Sequence, residues 1–125
     1  MSMQREARAE TSLRDCLHAF ARSVNTDTRL IGLLKGWEPL LEIEATDSGA
    51  RFAFQVSRGQ MTPIDAASAR TENPVLIRSD SQTLIHVFGG ELNPAQAYLQ
   101  GALEVFGSDR DQIKLDAISL VLWGM

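Results

Sequence analysis

The sequence predicts an α+β fold, in which a five-stranded, mostly antiparallel mixed sheet carries about five helices on one face. Apolar residues recur with helical spacing near the N-terminus and alternate with period two in the segments that follow. A run of strand patterns followed by helix patterns is typical of helices layered on one side of such a sheet. The 125 residues are expected to form a single domain over 12–125, preceded by a flexible N-terminus over 1–11.

Two helices come first. The clearest helical stripe covers residues 12–24, where apolar side chains recur at intervals of three and four: Leu13, Cys16, Leu17, Phe20, Ala21 and Val24. Ser12 with Asp15 predicts the N-terminal cap of this helix. Residues 25–27 interrupt the stripe and predict the cap of a second short helix that ends at Gly36. That helix is apolar on more than one side, so it is either deeply packed or faces a hollow.

Strand patterns follow. Residues 41–45 and 51–57 alternate between apolar and polar side chains, and the turn-forming residues 46–49 join them. A weaker third strand is predicted over 61–66. This alternation predicts a sheet with one buried and one solvated face.

The second half mixes short helices and strands. Residues 66–73 are expected to form a loop, and Pro74 opens a fourth strand over 75–77. Ser79, Asp80 and Ser81 predict the cap of a third helix, which the glycine pair at 89 and 90 ends. A fifth strand is expected over 102–106, and a last helix over 110–122.

Residues 92–101 carry the most informative motif, a compact helix with both ends encoded. Asn93 is a good N-cap, because its side-chain oxygen can accept from a free amide of the first turn. Pro94 suits the first helical position, where its missing N–H costs nothing. Gly101 can adopt the left-handed conformation that ends a helix.

This motif resembles that of the sterol carrier protein type 2 family, G-x-L-N-P-x-x-A-(F/Y)-(F/L)-x-G followed by a strand and a glycine. The matching residues are Gly90, Leu92, Asn93, Pro94, Ala97, Tyr98, Leu99 and Gly101. The resemblance spans roughly residues 12–122 and is strongest over 74–122. It implies an apolar cavity for sterols, fatty acids or acyl-CoA, closed over by the C-terminal segment. The weak third strand, with Pro63, departs from the family pattern. The resemblance therefore does not predict the shape of the cavity mouth.

The apolar faces of the predicted elements supply candidates for the lining of such a cavity. The candidate ligand-binding residues are Phe20, Leu33, Leu34, Trp37, Leu84, Phe88, Leu99, Gln100, Ile118 and Leu122. For each apolar member, an ordinary place in the core is the simpler interpretation. Gln100 occupies a position where some relatives have a polar residue near the ligand, although a glutamine there could also simply face solvent.

Composition excludes several classes of partner. A net charge of −4, with scattered basic residues, argues against nucleic-acid binding. The chain has neither an apolar signal segment nor a run long enough to cross a bilayer, so no transmembrane segment is expected. The single cysteine, Cys16, cannot form an internal disulfide and is typical of a reducing location, so a cytoplasmic protein is predicted.

No pattern of catalytic or metal-binding residues stands out. Cys16 and His18 lie two positions apart, so on a helix they point about 200° away from each other. His86 is expected to face solvent, and Glu42 and Glu44 are best explained as charges on the wet face of a strand. Neither a cofactor nor a metal site is predicted.

The leading functional hypothesis is a domain that binds a lipid, a fatty acyl group or another apolar small molecule, for transfer or presentation. A second hypothesis is an interaction module with a filled core, which forms a homodimer or docks on an enzyme through the apolar tail around Trp123. A third is a small enzyme that acts on an apolar substrate held in the cavity.

Overall fold

The computed structural model describes residues 2–66 and 74–124, with side chains described from Ser12 onward. The elements in chain order are α1 (Ser2–Thr26), α2 (Arg29–Leu33), β1 (Leu40–Ala45), β2 (Arg51–Ser57), β3 (Gln60–Ile64), β4 (Val75–Ser79), α3 (Ser81–Phe88), α4 (Pro94–Leu99), β5 (Glu104–Phe106) and α5 (Asp109–Trp123). The predicted loop over 66–73 lies outside the described residues, except for Ala66. The flexibility of residues 1–11 stays a prediction.

The five strands form one sheet in the order β3-β2-β1-β4-β5. The pairs β1–β2, β2–β3 and β4–β5 are antiparallel, and the central pair β1–β4 is parallel. The predicted α+β class and the mixed, mostly antiparallel sheet are therefore confirmed.

The register of the sheet separates a buried face from a charged one. Leu41 of β1 lies opposite Phe54 of β2 and Val75 of β4, and all three are buried beneath the helices. The alternate side chains point outward, where a Glu44 carboxylate oxygen lies 2.6 Å from Arg78 Nε. Glu44 therefore belongs to an ion-pair network on the solvated face, as its place in the strand pattern indicated.

Several element boundaries differ from the predicted ones; α2, for example, ends at Leu33 and not at Gly36. Helix α1 begins at Ser2, so the predicted cap at Ser12 is wrong, because the helix runs through that position. It also continues to Thr26, and the Asp27 carboxylate accepts from the Arg29 amide at 3.0 Å without forming the predicted N-cap. The fifth strand is shorter than predicted, because the amides of residues 102 and 103 both donate to the Ala97 carbonyl and so close α4.

Candidate functional site

An apolar cavity of about 290 Å³ lies between α3, α4 and α5, over the β4–β5 end of the sheet. Its volume is at the lower end of the range for small-molecule sites. Most of its wall is aliphatic or aromatic, and its lining residues are Phe20, Ile77, Val87, Phe88, Pro94, Ala95, Tyr98, Leu99, Leu103, Val105, Gln112, Leu115, Asp116, Ile118, Ser119 and Trp123. A space of this composition can hold an apolar molecule without any covalent chemistry.

Helix α4 forms the outer wall of the cavity. The Asn93 side chain accepts from the Ala95 amide at 2.9 Å, and Pro94 occupies the first turn, as the sequence predicts. The helix turns Tyr98 and Leu99 toward the cavity, yet these side chains are 46% and 83% exposed. An 83% exposed leucine that also lines a cavity must lie at its opening, so α4 borders the mouth.

Three aromatic rings in contact with one another form part of the cavity wall. The rings of Phe20 and Phe88 meet edge to face with centroids 4.9 Å apart, and Trp123 lies 5.7 Å from Phe20. The indole also packs against Gly90, where an added Cβ would lie only 2.6 Å from its Cδ1 atom. Because Gly90 has no side chain, the Trp123 indole can pack against it and reach the cavity wall. Trp123 is half-buried by these contacts.

Helix α5 supplies the polar part of the wall. Ser108 and Asp111 form a capping box at its start, so the helix begins at a fixed register. Gln112, Asp116 and Ser119 follow at spacings of four and three, which puts them on one face, and all three line the cavity. Ser119 is buried, Gln112 is half-buried and Asp116 is exposed.

The capping box is tied to the loop after α2. Trp37 Nε1 donates to Asp111 Oδ1 at 2.8 Å. Burial raises the pKa of Asp111, but hydrogen bonds from Trp37 and Ser108 outweigh burial and hold the pKa below its usual value. The Asp111 carboxylate therefore serves as a structural anchor that stays charged at neutral pH.

The structure brings four of the candidate lining residues together at the cavity: Phe20, Phe88, Leu99 and Ile118. The other six do not line it. Leu34, Trp37 and Leu84 are packed into the core, with exposures of 0%, 3% and 0%.

The remaining three candidates lie at the surface or on another face. Leu33 is 38% exposed on α2, and Gln100 is exposed at the C-cap of α4. Leu122 lies beside Ser23 and Thr26 of α1, away from the cavity. Whether a ligand contacts any predicted residue stays a prediction.

Sequence reasoning missed the polar and small members of the wall. The signal that could have found them is the spacing of Gln112, Leu115, Asp116 and Ser119 at i, i+3, i+4 and i+7 on the last helix. A search restricted to apolar side chains overlooks such a face. The contribution of Val105 and Leu103 depends on β5 meeting β4 at the sheet edge, which local spacing does not reveal.

The nucleophilic Cys16 and the basic His18 contact different partners. Cys16 Sγ donates to the Ile85 carbonyl at 3.5 Å, and burial raises the pKa of the thiol, followed by the nearby charge of Glu91. His18 instead packs edge to face on Phe54, with ring centroids 6.1 Å apart. Among the residues that the structure describes, no three histidine, cysteine or carboxylate side chains are grouped to hold a metal ion. In the same part of the chain, no helix is long and apolar enough to span a bilayer.

Solved structures that superpose on the chain include sterol carrier domains and a larger enzyme, one part of which has a similar fold. The sterol carrier protein domain 2 of Helicoverpa armigera superposes with a TM-score of 0.68 at 17% identity, covering 91% of this chain and 90% of that one. The UbiJ-SCP2 ubiquinone synthesis protein gives 0.65 at 11% identity, covering 84% and 90% of the two chains. The sec-alkylsulfatase Pisa1 from Pseudomonas sp. gives 0.62 at 20% identity, over 82% of this chain but 15% of the enzyme.

At these identities the structural likeness shows the fold alone. No curated protein sequence matches the chain. The model of the SCP-2 sterol transfer family, however, matches residues 18–115, which include the α4 motif and most of the cavity wall. The chain therefore belongs to the SCP-2 sterol transfer family.

Proposed function

We propose that the protein binds an apolar small molecule, such as a lipid or a fatty acyl group, in the cavity between α4 and α5 and carries or presents it. The observation that carries this proposal is the mostly apolar cavity of about 290 Å³ with exposed Leu99 at its mouth. Membership of a sterol transfer family supports the same class of ligand. The single Cys16 supports a reducing, cytoplasmic location for this activity.

The expected driving force is removal of methylene groups from water. Each buried methylene contributes about 0.8 kcal/mol. This increment corresponds to a roughly fourfold change in the dissociation constant. Affinity should therefore rise with chain length until the cavity is filled, and then level off.

A series of n-alkanols tests this expectation. The alkanols displace Nile red, a neutral dye whose fluorescence reports an apolar site, and their dissociation constants are compared from hexanol to tetradecanol. We expect a steep rise in affinity followed by a plateau. The absence of Nile red binding, or an affinity that does not depend on chain length, would overturn the proposal. Native mass spectrometry of gently purified protein should show an apolar adduct that the alkanol displaces.

Two exposed leucines provide a matched pair of variants. Leu99→Ala removes a side chain from the cavity mouth, whereas Leu120→Ala removes a 61% exposed side chain of α5 that does not line the cavity. We expect Leu99→Ala to weaken alkanol binding several-fold and Leu120→Ala to leave it unchanged. Equal effects of the two substitutions would place binding elsewhere on the surface.

A docking role is the second candidate. Ile113 and Leu120 lie seven positions apart on one face of α5 and are 65% and 61% exposed, which favours a contact patch for a second copy or an enzyme. Trp123 is not part of this patch, because it packs on Phe20 and Gly90. Sedimentation of the wild type and of Leu120→Ala tests this candidate: a concentration-dependent mass that the substitution abolishes supports docking, and a monomer at all concentrations rejects self-association.

A further inference from the structure

We propose that Asp116, together with Gln112, makes the cavity select ligands by head group: an apolar chain that ends in a hydrogen-bond donor, such as a hydroxyl or an ammonium, is favoured over one that ends in a carboxylate. This inference rests on the proposed binding function and adds a specificity-determining residue to it.

The positions of these two side chains place them at the opening of the cavity. They lie one helical turn apart on α5 and both line the cavity. Asp116 is exposed and Gln112 is half-buried, whereas Ile118 on the same helix is only 2% exposed. A ligand whose chain fills the apolar interior would therefore leave its head group beside Gln112 and Asp116.

The cations of α5 are directed away from this opening. Arg110 and Lys114 each lie two positions from Gln112, which on a helix is about 200° around the axis. Arg110 Nη2 donates to the Gly36 carbonyl at 3.3 Å, and Lys114 Nζ donates to the Leu33 carbonyl. Both cations are thus held against the α2 end of the layer.

Among the residues whose side chains are described, no positive charge pairs with Asp116 at the mouth. Within the described part of the chain, the cavity lining includes no lysine or arginine, and Asp116 belongs to none of the ion pairs. A carboxylate ligand would meet a like charge there, without a counterion from the described lining residues. Like charges a few ångströms apart repel, although exposure to solvent weakens the effect.

Donor head groups meet complementary chemistry at the same place. A carboxylate side chain only accepts hydrogen bonds, whereas a glutamine amide both donates and accepts. A ligand hydroxyl can therefore donate to Asp116 and accept from Gln112. An ammonium can donate to both side-chain oxygens and also gains the attraction of the Asp116 charge.

Three ligands with the same chain and different heads test the inference: dodecan-1-ol, dodecylamine and dodecanoate, each displacing Nile red at pH 7 below its micelle-forming concentration. For the wild type we expect the alcohol and the amine to bind about five- to tenfold more tightly than dodecanoate, as suits a solvent-weakened charge. In Asp116→Asn, dodecanoate should bind more tightly and dodecylamine more weakly, while the alcohol changes little.

The control is Asp15→Asn, the same substitution at an exposed residue of α1 that does not line the cavity. Asp15→Asn should leave the affinities for all three ligands unchanged. Because it changes the net charge as Asp116→Asn does, it separates the local effect of Asp116 from the effect of net charge. If Asp116→Asn keeps the wild-type ratios, or dodecanoate already binds as tightly as the alcohol, head-group selection is wrong although alcohol binding still supports the proposed function. If none of the three ligands displaces Nile red, the proposed function and this inference both fail.

Discussion

Two apolar regions of the helical layer have similar composition but are packed differently. In the closed region, formed by α2 and the loop to Trp37, Leu30, Leu34 and Trp37 are at most 3% exposed. In the open region, formed by α4 and the facing side of α5, Leu99 is 83% exposed and the cavity of about 290 Å³ remains. Apolar composition therefore predicts which face of a helix packs against the rest of the protein. It does not predict whether the packing is tight or leaves a cavity.

Polar ties explain the difference. In the closed region, three side chains of α5 bond to the α2 end of the layer: Asp111 to the Trp37 indole, Arg110 to the Gly36 carbonyl and Lys114 to the Leu33 carbonyl. Helix α4 is short, and the side-chain hydrogen bonds described for it come from its own cap at Asn93. The closed region is therefore hydrogen-bonded to α5 through side chains, whereas the side-chain hydrogen bonds described for α4 of the open region are internal to that helix.

The largest effect on stability is expected from a cavity-creating substitution in the closed region. Leu34 is 0% exposed, so Leu34→Ala should lower the free energy of unfolding by about 2–5 kcal/mol. Urea denaturation measures this loss, and the alkanol plateau should stay where it is. Leu33→Ala, at a neighbouring residue that is 38% exposed, is the control and should cost about 1 kcal/mol or less. Similar losses for both variants would contradict the assignment of this region as closed.

A substitution behind Trp123, which lines the open region, should cost less. Gly90 has φ +79° and would place a Cβ 2.6 Å from the Trp123 ring, so Gly90→Ala combines backbone strain with displacement of the indole. We expect a loss of about 2–3 kcal/mol, together with weaker alkanol binding. Gly101→Ala separates the two causes, because Gly101 has φ +77° with nothing within 4 Å of the added Cβ. It should cost about 1 kcal/mol and leave binding intact. Unchanged alkanol binding in Gly90→Ala would show that the position of the Trp123 indole does not contribute to binding.

The same contrast shows what the sequence could and could not predict. Local patterns predict the α4 cap at Asn93 and the buried strand faces, because caps and alternation depend on residues near in sequence. They cannot distinguish Leu34 from Leu99, since both are leucines at the C-terminal ends of short apolar helices and only the element packed opposite decides their exposure. The polar wall at Asp116 was missed because a charged residue at a cavity mouth has the same local pattern as one on an ordinary solvated face.

The smallest expected effect concerns the tie that keeps the closed region closed, and it depends on pH. The pKa of Asp111 is held below its usual value, so its stabilisation is present above the unfolded-state pKa near 4 and is lost as the pH falls through the lower folded-state pKa. Trp37→Phe removes one of the hydrogen bonds that lower this pKa, which should cost about 1 kcal/mol at pH 7. The melting temperatures of wild type and Trp37→Phe should therefore draw closer as the pH falls below about 4, because the wild type loses the hydrogen-bond stabilisation that the variant already lacks. Trp123→Phe leaves the bond to Asp111 in place, so its melting temperature should stay a constant interval from that of the wild type over the same range. Parallel curves for Trp37→Phe and the wild type would mean that the indole stabilises the closed region by packing alone.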